Sequence, residues 1–377
     1  MTMTTETDQT SPPPKGEHLP EDLFNSYMEN EDLLPSLVGK TVAITGTTTG
    51  LGHALARCAI VKNASLVLLL NRKSERSEKS ENDLRKYLDG GNADEGSTAK
   101  TVIQTVECDL MSFDSVKKAA EQINSEVRPY GGLDVFCANA GIMAIDDNRT
   151  QDGFDVQIQT NQLSHFLLTS SIYPSVKDAA EKRGEARIVF QSSSAREMCS
   201  ALEAKYFEKC DEGALGGNDS WTLSQMAFGR GGPWKRYAQS KLANSTFIMA
   251  LHRKLVESNS KIKSIGCEPG YSVTPLQNTK HLTGIWLKPL FDYLLPLQSA
   301  SDGSLNAAMA CFSPEAQSGD LYAPEKNMIG KPIKVVAGGV RQKNGWIGGT
   351  DKATCNPEQQ KLVWEACEKA LGIEFNV

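Results

Sequence analysis

The 377-residue sequence lacks the features that mark membrane, secreted or nucleic-acid-binding proteins. It contains no apolar run of roughly 20 residues, no block of basic residues, and no basic and apolar leader at its N-terminus. Its net charge of -6 gives no electrostatic reason to expect nucleic acid as a partner. We therefore expect a cytoplasmic protein with no transmembrane span and no nucleic-acid partner.

Cysteine and histidine are present, but their spacing predicts neither disulfides nor a metal site. The nine cysteines are scattered, odd in number and never arranged as Cys-x-x-Cys. None of the five histidines pairs with a cysteine at ligand spacing. This usage is typical of reduced thiols in a cytosol-like compartment, and we expect no metal.

An informative stretch early in the chain joins a strand-like run to a helical one. A β-branched apolar run ends at Gly46, and helical periodicity starts just after Gly50. The motif Thr45-Gly46-x-x-x-Gly50-x-Gly52 allows a tight turn, and the helix N-terminus behind it offers free N–H groups to a pyrophosphate. The predicted cofactor contacts in this turn are Gly46, Thr48, Thr49, Gly50, Leu51 and Gly52.

The residues after the second strand indicate which dinucleotide this turn would bind. The strand-like run 65–70 ends at Asn71-Arg72-Lys73, where an NAD-binding unit would carry an acidic residue for the ribose 2′-hydroxyl. A neutral side chain followed by two cations suits a 2′-phosphate instead. We therefore predict NADP(H) rather than NAD(H), with a solvated loop as the alternative interpretation of the two cations.

Functional side chains follow the later strands in the same way. The third strand ends at Asp109-Leu110, where the carboxylate suits either the adenine amino group or the N-cap of the next helix. The fourth ends at Asn139-Ala140-Gly141, whose small residues would let the nicotinamide ribose pack against backbone. Repeated strand–helix units of this kind predict an α/β fold with one doubly wound parallel sheet, which binds ligands at its carboxyl edge.

The stretch Tyr237-Ala-Gln-Ser-Lys241 carries the predicted chemistry. In a helix, residues four apart point off the same face, so Lys241 would lie one turn from Tyr237. A nearby ammonium lowers the pKa of a phenol from about 10 towards neutrality, which would make Tyr237 a general acid or base at physiological pH. A Tyr-x-x-x-Lys match also arises by chance, so its weight depends on the motifs upstream.

The ordered set of these motifs resembles the short-chain dehydrogenase/reductase family over roughly residues 38–325. The matching residues are Thr45-Gly46-x-x-x-Gly50-x-Gly52, Asp109-Leu110, Asn139-Ala140-Gly141, Asn161, Ser193, Tyr237-x-x-x-Lys241 and Pro269-Gly270 with Thr274. The resemblance implies a Rossmann-type sheet of about seven strands. It also implies cofactor contacts from Tyr237, Lys241, Pro269, Gly270 and Thr274. The catalytic tetrad that it implies is Asn161, Ser193, Tyr237 and Lys241.

Each member of this tetrad has an expected role. Tyr237 would donate its proton to the carbonyl oxygen as hydride leaves the nicotinamide. Ser193 would bond the same oxygen, as an oxyanion-hole donor does, although the serines on either side of it are close alternatives. Lys241 would hold the nicotinamide ribose and lower the pKa of Tyr237. Asn161 would interrupt its helix and hold a water that links Lys241 to solvent.

Within the family, the chain is most similar to the branch of retinol dehydrogenases and light-dependent protochlorophyllide reductases. The cues are the segment 160–168, Arg187-Ile-Val before the serines, and the tail 355–372. The long gap between the catalytic serine and tyrosine resembles the protochlorophyllide enzyme. Against this, Asn139-Ala-Gly is the ordinary form of the family, so the substrate stays open.

The motifs divide the chain into three parts. Residues 1–37 form an N-terminal arm that we expect to be partly disordered, residues 38–325 form the Rossmann-type domain, and residues 326–377 form a C-terminal extension with a terminal helix. Two segments have no place in a minimal sheet. They are a lid insertion at 194–233 and a substrate loop at 275–298 that is rich in aromatic residues and leucine.

These interpretations predict an NADP(H)-dependent oxidoreductase that transfers hydride to or from a carbonyl or alcohol of a bulky apolar small molecule, with Tyr237 as general acid or base. Two alternatives stay open. One is a light-dependent reductase of a C=C bond in a tetrapyrrole, and the other is a non-catalytic NADP(H)-binding scaffold or sensor, against which the intact tetrad argues. The apolar loop allows contact with a membrane surface, and both a homo-oligomer and a monomer are compatible with the sequence.

Overall fold

A nine-stranded sheet forms the centre of the protein in the computed structural model, which describes residues 21–89, 101–218, 231–272, 297–342 and 353–377. The strands are β1 (Thr41–Thr45), β2 (Leu66–Asn71), β3 (Val102–Glu107), β4 (Val135–Ala138), β5 (Ala186–Gln191), β6 (Ile262–Cys267), β7 (Leu321–Pro324), β8 (Pro332–Ala337) and β9 (Val340–Arg341). Their order across the sheet is β3-β2-β1-β4-β5-β6-β7-β8-β9.

Strands β1 to β7 run parallel, which confirms the predicted α/β class and the doubly wound sheet. Every residue of β1, β2, β4 and β5 is buried, because helices cover both faces of the sheet. The strand order reverses between β1 and β4, and a ligand crevice opens beyond the carboxyl ends of strands at such a point.

The strand count differs from the expected seven, because β8 and β9 extend the sheet with antiparallel pairing. The chain turns back after β7 and pairs Leu321 with Val336, so the first residues of the predicted C-terminal extension lie in the same sheet as the Rossmann-type strands. Residues 332–337 are mostly half-buried, so β8 forms without the continuous apolar sequence that the fully buried strands have.

The helices in the described residues are α1 (Asp22–Met28), α2 (Gly50–Val61), α3 (Glu75–Asp89), α4 (Phe113–Val127), α5 (Val156–Ile158), α6 (Ser164–Arg183), α7 (Gly232–Glu257), α8 (Ala300–Phe312) and α9 (Pro357–Leu371). A π turn at Gln159–Leu163 joins α5 to α6, and short 3-10 turns lie at Arg128–Tyr130, Ser194–Met198 and Ala204–Phe207. Helices α4, α6, α7 and α9 cover one face of the sheet, and α1, α2, α3 and α8 cover the other.

The two segments that we expected over the site are described only in part. Residues 219–230 of the lid insertion lie outside the described residues, as do Thr274 and all of the substrate loop except residues 297–298. Among the helices listed above, none combines the length and the apolarity that crossing a membrane requires.

The C-terminal helix packs into the main core through an aromatic cluster. The ring of Trp364 stacks on those of Phe375 and Phe247, with centroids 5.1 and 5.6 Å away, and meets Phe166 edge-on at 5.5 Å. The Lys254 ammonium lies 4.5 Å from the Trp364 ring centroid, which is a cation–π contact. The buried face of α9 therefore belongs to the same core as α6 and α7.

We expect Trp364→Ala to lower the free energy of unfolding by about 3–5 kcal/mol, because truncating a buried aromatic side chain leaves a cavity. Urea denaturation followed by circular dichroism measures the change. Lys361→Ala is the matched control, since its side chain is 74% exposed on the same helix. The control should change the free energy by less than about 0.5 kcal/mol. Equal effects of the two substitutions would show that α9 is not part of the core.

Candidate active site

Close backbone contacts shape the glycine-rich turn between β1 and α2. Gly46 has a φ of +74°, and a Cβ on it would lie 2.8 Å from the Cβ of Ala140. A Cβ on Gly52 would lie 2.3 Å from the Gly46 carbonyl oxygen, so the helix and the turn approach this closely only because both residues are glycine. The N-cap residue Thr49 makes no side-chain cap hydrogen bond. The first N–H groups of α2 are therefore free to face an anion.

A cavity of about 690 Å³ opens along the carboxyl edge of β1 to β4. All the cofactor residues predicted from these strands line it, namely Gly46, Thr48, Thr49, Gly50, Leu51, Gly52, Asn71, Arg72, Lys73, Asp109, Leu110, Asn139, Ala140 and Gly141. Other residues that line the cavity were not predicted from the sequence, and they include Ser74, Arg76, Glu107, Met111, Ile142 and Thr160. This lining and the uncapped N-terminus of α2 fit a dinucleotide whose pyrophosphate meets that helix.

Cations line the cavity where the second strand ends. Arg72, Lys73 and Arg76 all border it, and the prediction missed Arg76 because it lies in the first turn of α3 rather than directly after the strand. Asn71 has a different contact from the expected one. Its Oδ1 accepts from the Thr47 N–H at 2.8 Å, and its Nδ2 donates to Thr47 Oγ1 at 2.7 Å. Asn71 is buried and stabilises the turn through these two hydrogen bonds. The positive charge at this end of the cavity comes from the three neighbouring cations.

Asp109 does not cap α4, which was one of the two roles considered for it. The N-cap of α4 is Ser112, whose hydroxyl accepts from the Ser115 N–H. The Oδ1 of Asp109 instead accepts from the Met111 N–H at 3.0 Å, at the wall of the cavity. Its contact with adenine stays a prediction.

Tyr237 and Lys241 lie four residues apart on α7 and are each 4% exposed. The Ser193 side chain lies close enough to the Tyr237 hydroxyl to lower its pKa. The Nζ of Lys241 donates to the Gln191 carbonyl oxygen at 2.9 Å and lies 6.0 Å from the Tyr237 ring centroid. Gly141 connects this group to the cavity, because a Cβ on it would lie 3.3 Å from the Lys241 Nζ.

Of the three serines that follow β5, the middle one meets the tyrosine. Ser192 Oγ instead donates to the Lys241 carbonyl oxygen at 2.8 Å inside the core, and Ser194 begins a 3-10 turn. This placement agrees with the choice of Ser193 over its neighbours. The catalytic role of Ser193 stays a prediction.

The pKa of the tyrosine departs from its ordinary value in the direction opposite to the one expected. Burial raises the pKa of Tyr237 to about 12, although the nearby Ser193 side chain lowers it, and the charge of Glu268 raises it further. Burial also lowers the pKa of Lys241 to about 8. The expectation that Lys241 draws the phenol towards neutrality was therefore wrong, because the desolvation of a phenolate outweighs an ammonium 6.0 Å from the ring.

Asn161 lies in the π turn and so interrupts the regular helix, as expected. Its side chain clamps the backbone after β4, since Oδ1 accepts from the Ile142 N–H and Nδ2 donates to the Ile142 carbonyl oxygen, both at 2.9 Å. The Nδ2 also donates to Ser240 Oγ on α7 at 2.8 Å. Asn161 therefore joins the end of β4 to the helix of Tyr237, and its expected water stays a prediction.

His165 is a structural partner of this site to which the sequence analysis gave no role. Thr45 Oγ1 accepts N–H bonds from Asn139 and Ala140 at 3.0 and 2.9 Å, so its own hydrogen is left for His165 Nε2, 2.9 Å away. The imidazole then carries its proton on Nδ1 and donates to the Asn161 carbonyl oxygen at 3.1 Å. Burial lowers the pKa of His165 to about 4, so the ring is neutral at physiological pH. The one signal in the sequence was a histidine within the apolar run 163–168.

Arg236, which precedes Tyr237, is fully buried and ties α7 to the lid insertion. Its guanidinium donates to the Gly217 carbonyl oxygen at 2.9 Å and lies 3.3 and 3.2 Å from the carboxylates of Asp147 and Asp155. Since Asp155 also caps α5, a single buried cation joins the lid insertion, the helix before the π turn, and the helix of Tyr237.

Pro269 and Gly270, which follow β6, are not among the described residues that line the cavity. Gly270 has a φ of +66°, and a Cβ on it would lie 2.3 Å from the Met328 carbonyl oxygen. The Pro269 carbonyl oxygen accepts from Gln298 Nε2 at 2.6 Å. The cofactor contacts expected of Pro269, Gly270 and Thr274 stay predictions.

Comparison with known proteins identifies relatives along most of the chain. Residues 40–207 match the family model described as short chain dehydrogenase. A short-chain dehydrogenase/reductase of Armillaria gallica is 31% identical over 338 residues, which cover 89% of this chain and 91% of the relative. Retinol dehydrogenase 14 of Mus musculus is 32% identical over 256 residues, which cover 67% of this chain and 67% of the relative.

The solved structures show the same fold. An uncharacterised protein from Mycobacterium paratuberculosis superposes with a TM-score of 0.62 at 24% sequence identity. The superposition covers 91% of this chain and 97% of the other. The resemblance therefore extends over nearly the whole of both chains.

The buried charge of Asp155 makes stability depend on pH. Burial raises its pKa from 3.8 to about 6, even though the Ile158 N–H and the Arg236 guanidinium lower it. The folded chain therefore binds a proton where the unfolded chain has released it, and stability falls as pH rises from about 4 to about 6. Asp155→Asn keeps a capping oxygen but has no charge to bury. Across this pH window we expect its free energy of unfolding to rise by up to about 3 kcal/mol relative to that of the wild type.

Urea unfolding of both proteins at several pH values measures this difference. Asp211→Asn is the control, since that carboxylate is exposed. A difference between the wild type and Asp155→Asn that stays constant with pH would contradict the raised pKa.

Proposed function

The chain belongs to the short-chain dehydrogenase/reductase family, and on that premise we propose that it is an NADP(H)-dependent oxidoreductase of carbonyl and alcohol groups on bulky apolar small molecules. The observation that supports this most directly is that the Ser193 side chain lies beside the hydroxyl of the buried Tyr237. Lys241 lies one turn away, and Gly141 connects the group to the dinucleotide-sized cavity. Two hydroxyls beside such a cavity are suited to receive a carbonyl oxygen.

Tyr237 and Ser193 have different roles at the carbonyl oxygen of the substrate. The cofactor, when bound, supplies or accepts the hydride. In the direction of reduction, Tyr237 gives the proton of its hydroxyl to the carbonyl oxygen, and Ser193 donates a hydrogen bond to the same atom, which stabilises the charge that develops there. Lys241 lies against Gly141 at the cavity wall, where it would hold the ribose hydroxyls of the bound cofactor.

The protonation states favour reduction at neutral pH. With a pKa of about 12, the Tyr237 phenol keeps its proton throughout the physiological range and is ready to donate it. Lys241, with a pKa of about 8, is mostly charged below that pH. Oxidation of an alcohol needs the phenolate instead, so its rate should rise with pH over the range in which reduction is constant.

Three features of the cavity support NADP(H) as the cofactor. The turn at Gly46 and Gly52 leaves no room for a Cβ, which lets a pyrophosphate approach backbone, and the N–H groups at the start of α2 have no side-chain cap. Arg72, Lys73 and Arg76 border the end of the cavity beside β2, where the 2′ position of the adenosine ribose would lie. The 2′-phosphate, which carries up to two negative charges, would therefore meet three cations.

The proposed substrate class rests on two further observations. One relative is named for retinol, which is a large apolar alcohol. The segment 275–298 of this chain, most of which lies outside the described residues, is rich in tryptophan, phenylalanine and leucine in sequence. Such residues are typical of the walls of a pocket for an apolar ligand.

We expect Tyr237→Phe to lower kcat by about 10²–10⁴-fold, because it removes the proton donor and keeps the ring. NADPH oxidation in the dark, against retinal, steroid ketones, quinones and small aldehydes, measures it. Tyr206→Phe is the matched control, as it removes another buried tyrosine hydroxyl, in the lid insertion.

The same assay separates the competing functions. No turnover by the wild type, despite NADPH binding, would overturn the proposal of a carbonyl reductase. Turnover of a tetrapyrrole that appears only on illumination would establish the light-dependent alternative.

Cofactor preference is tested separately. We expect Arg72→Ala and Arg76→Ala each to raise the KM for NADPH about tenfold or more and to leave the KM for NADH unchanged, because each removes a charge-assisted contact to the 2′-phosphate. Lys86→Ala is the control, since Lys86 is exposed on the same helix as Arg76. Equal effects on both cofactors would count against NADP(H).

A further inference from the structure

Side chains from two other elements hold Thr47, which lies in the turn between β1 and α2. Its N–H and its hydroxyl are bonded to Asn71 at the end of β2, and its carbonyl oxygen accepts from Ser80 Oγ on α3 at 2.8 Å. Thr47 and Ser80 are 0% and 3% exposed. One of the two partners of this turn residue therefore belongs to the helix that carries Arg76.

A histidine from α2 fixes the direction of the Ser80 hydroxyl. His53 Nδ1 lies 3.0 Å from Ser80 Oγ. Because the single hydroxyl hydrogen points to the Thr47 carbonyl oxygen, Ser80 accepts from the imidazole, which carries its proton on Nδ1. Burial lowers the pKa of His53, so the ring is neutral at physiological pH. Ser80 thus joins α3 both to the turn and to the helix that follows the turn.

Helix α3 is polar through its first two turns, so hydrogen bonds decide how this half of it is held. Its first apolar residue is Leu84, in the third turn. A surface helix is normally held by its apolar face, and that face is missing here at the end nearest the cavity. The buried Ser77 does not supply a distant contact, because its Oγ donates to the Ser74 carbonyl oxygen at 2.7 Å and so closes the first turn on itself.

The hydrogen bond of Ser80 to the turn therefore bears on the position of Arg76, which lies one helical turn earlier and borders the cavity. Glu81 and Arg85 bond the middle of the helix to β3. On the side of the turn, the contact comes from Ser80. A shift of α3 on this side would move the Arg76 guanidinium relative to the free N–H groups at the start of α2.

We propose that Ser80, oriented by His53, is a positioning residue that sets the distance between the pyrophosphate turn and Arg76 and so contributes to selectivity for a dinucleotide with a 2′-phosphate. This inference rests on the proposed preference for NADP(H). The turn itself should keep its shape without Ser80, because Asn71 holds Thr47 through two hydrogen bonds that do not involve α3. Two phosphate sites held at a fixed separation favour the ligand that spans both, since less order has to be imposed on binding.

The test measures the binding of NADPH and of NADH to Ser80→Ala by isothermal titration calorimetry. We expect the Kd for NADPH to rise about fivefold, because the variant removes one buried hydrogen bond and lets α3 move away from the turn. The Kd for NADH should stay within about twofold, since this ligand has no 2′-phosphate for Arg76 to contact.

Ser264→Ala is the matched control. It also removes a buried serine hydroxyl that donates to a backbone carbonyl oxygen of a neighbouring helix, in this case that of Ile248 at 2.9 Å. Ser264 lies on β6 and is not among the described residues that line the cavity, so its loss should change neither Kd.

A double-mutant cycle shows whether Ser80 acts through the arginine. In an Arg76→Ala background, Ser80→Ala should change the Kd for NADPH by less than about twofold, because the group that it positions is already absent. A merely structural defect would instead weaken NADPH binding equally in both backgrounds. That result, an unchanged Kd for NADPH in the single variant, or an equal rise for NADH would overturn the proposal.

The wild type separates this inference from the proposed function. If it binds NADPH and NADH with equal Kd, the proposed preference for NADP(H) fails, and the role of Ser80 fails with it. If it prefers NADPH and Ser80→Ala keeps the full preference, only the role of Ser80 fails. Binding is measured without turnover, so neither result depends on knowing the substrate.

Discussion

Parallel pairing of β1 to β7 is the constraint on which the whole site depends. The carboxyl ends of parallel strands meet at one edge, so residues as distant in sequence as Gly46, Asn139, Ser193 and Glu268 become neighbours. The same pairing requires helices on both faces, and Tyr237 is buried on one of them, α7, which packs against β5 and β6. The behaviour of the tyrosine therefore follows from the sheet as a whole, and the local Tyr-x-x-x-Lys motif is only one part of it.

The fold could be predicted from the sequence where local pattern and tertiary environment agree. Strands β1, β2, β4 and β5 are buried on both faces and so appear as short apolar runs ended by glycine or polar residues. The pair β8 and β9 could not be predicted in this way, because residues 332–337 mix proline and lysine with apolar residues, and their strand conformation depends on pairing with β7. Helix α9 was expected from its periodicity, but the stacking of Trp364 on Phe247 depends on contacts far away in sequence.

In the site, sequence spacing predicted which residues come together, but it did not predict their electrostatics. The four-residue interval placed Tyr237 and Lys241 correctly on one helix. Burial, which no sequence motif encodes, then reversed the expected direction of the tyrosine pKa. The imidazole of His165 and the guanidinium of Arg236 were missed for the same reason, since each acts through partners from several elements that meet only in the folded chain.

The double hydrogen bond between Asn71 and Thr47 has a consequence for how cofactor choice can evolve in this chain. Position 71 is where an acidic residue would be introduced to favour a ribose without a phosphate. Aspartate there could still accept from the Thr47 N–H, but it could not donate to the Thr47 hydroxyl, and its charge would be buried in the turn that shapes the phosphate site. On the proposed preference for NADP(H), a change to NAD(H) would therefore not proceed through this position alone. It would begin among the exposed cations at 72, 73 and 76, so the order of mutations would be restricted by the architecture of the turn.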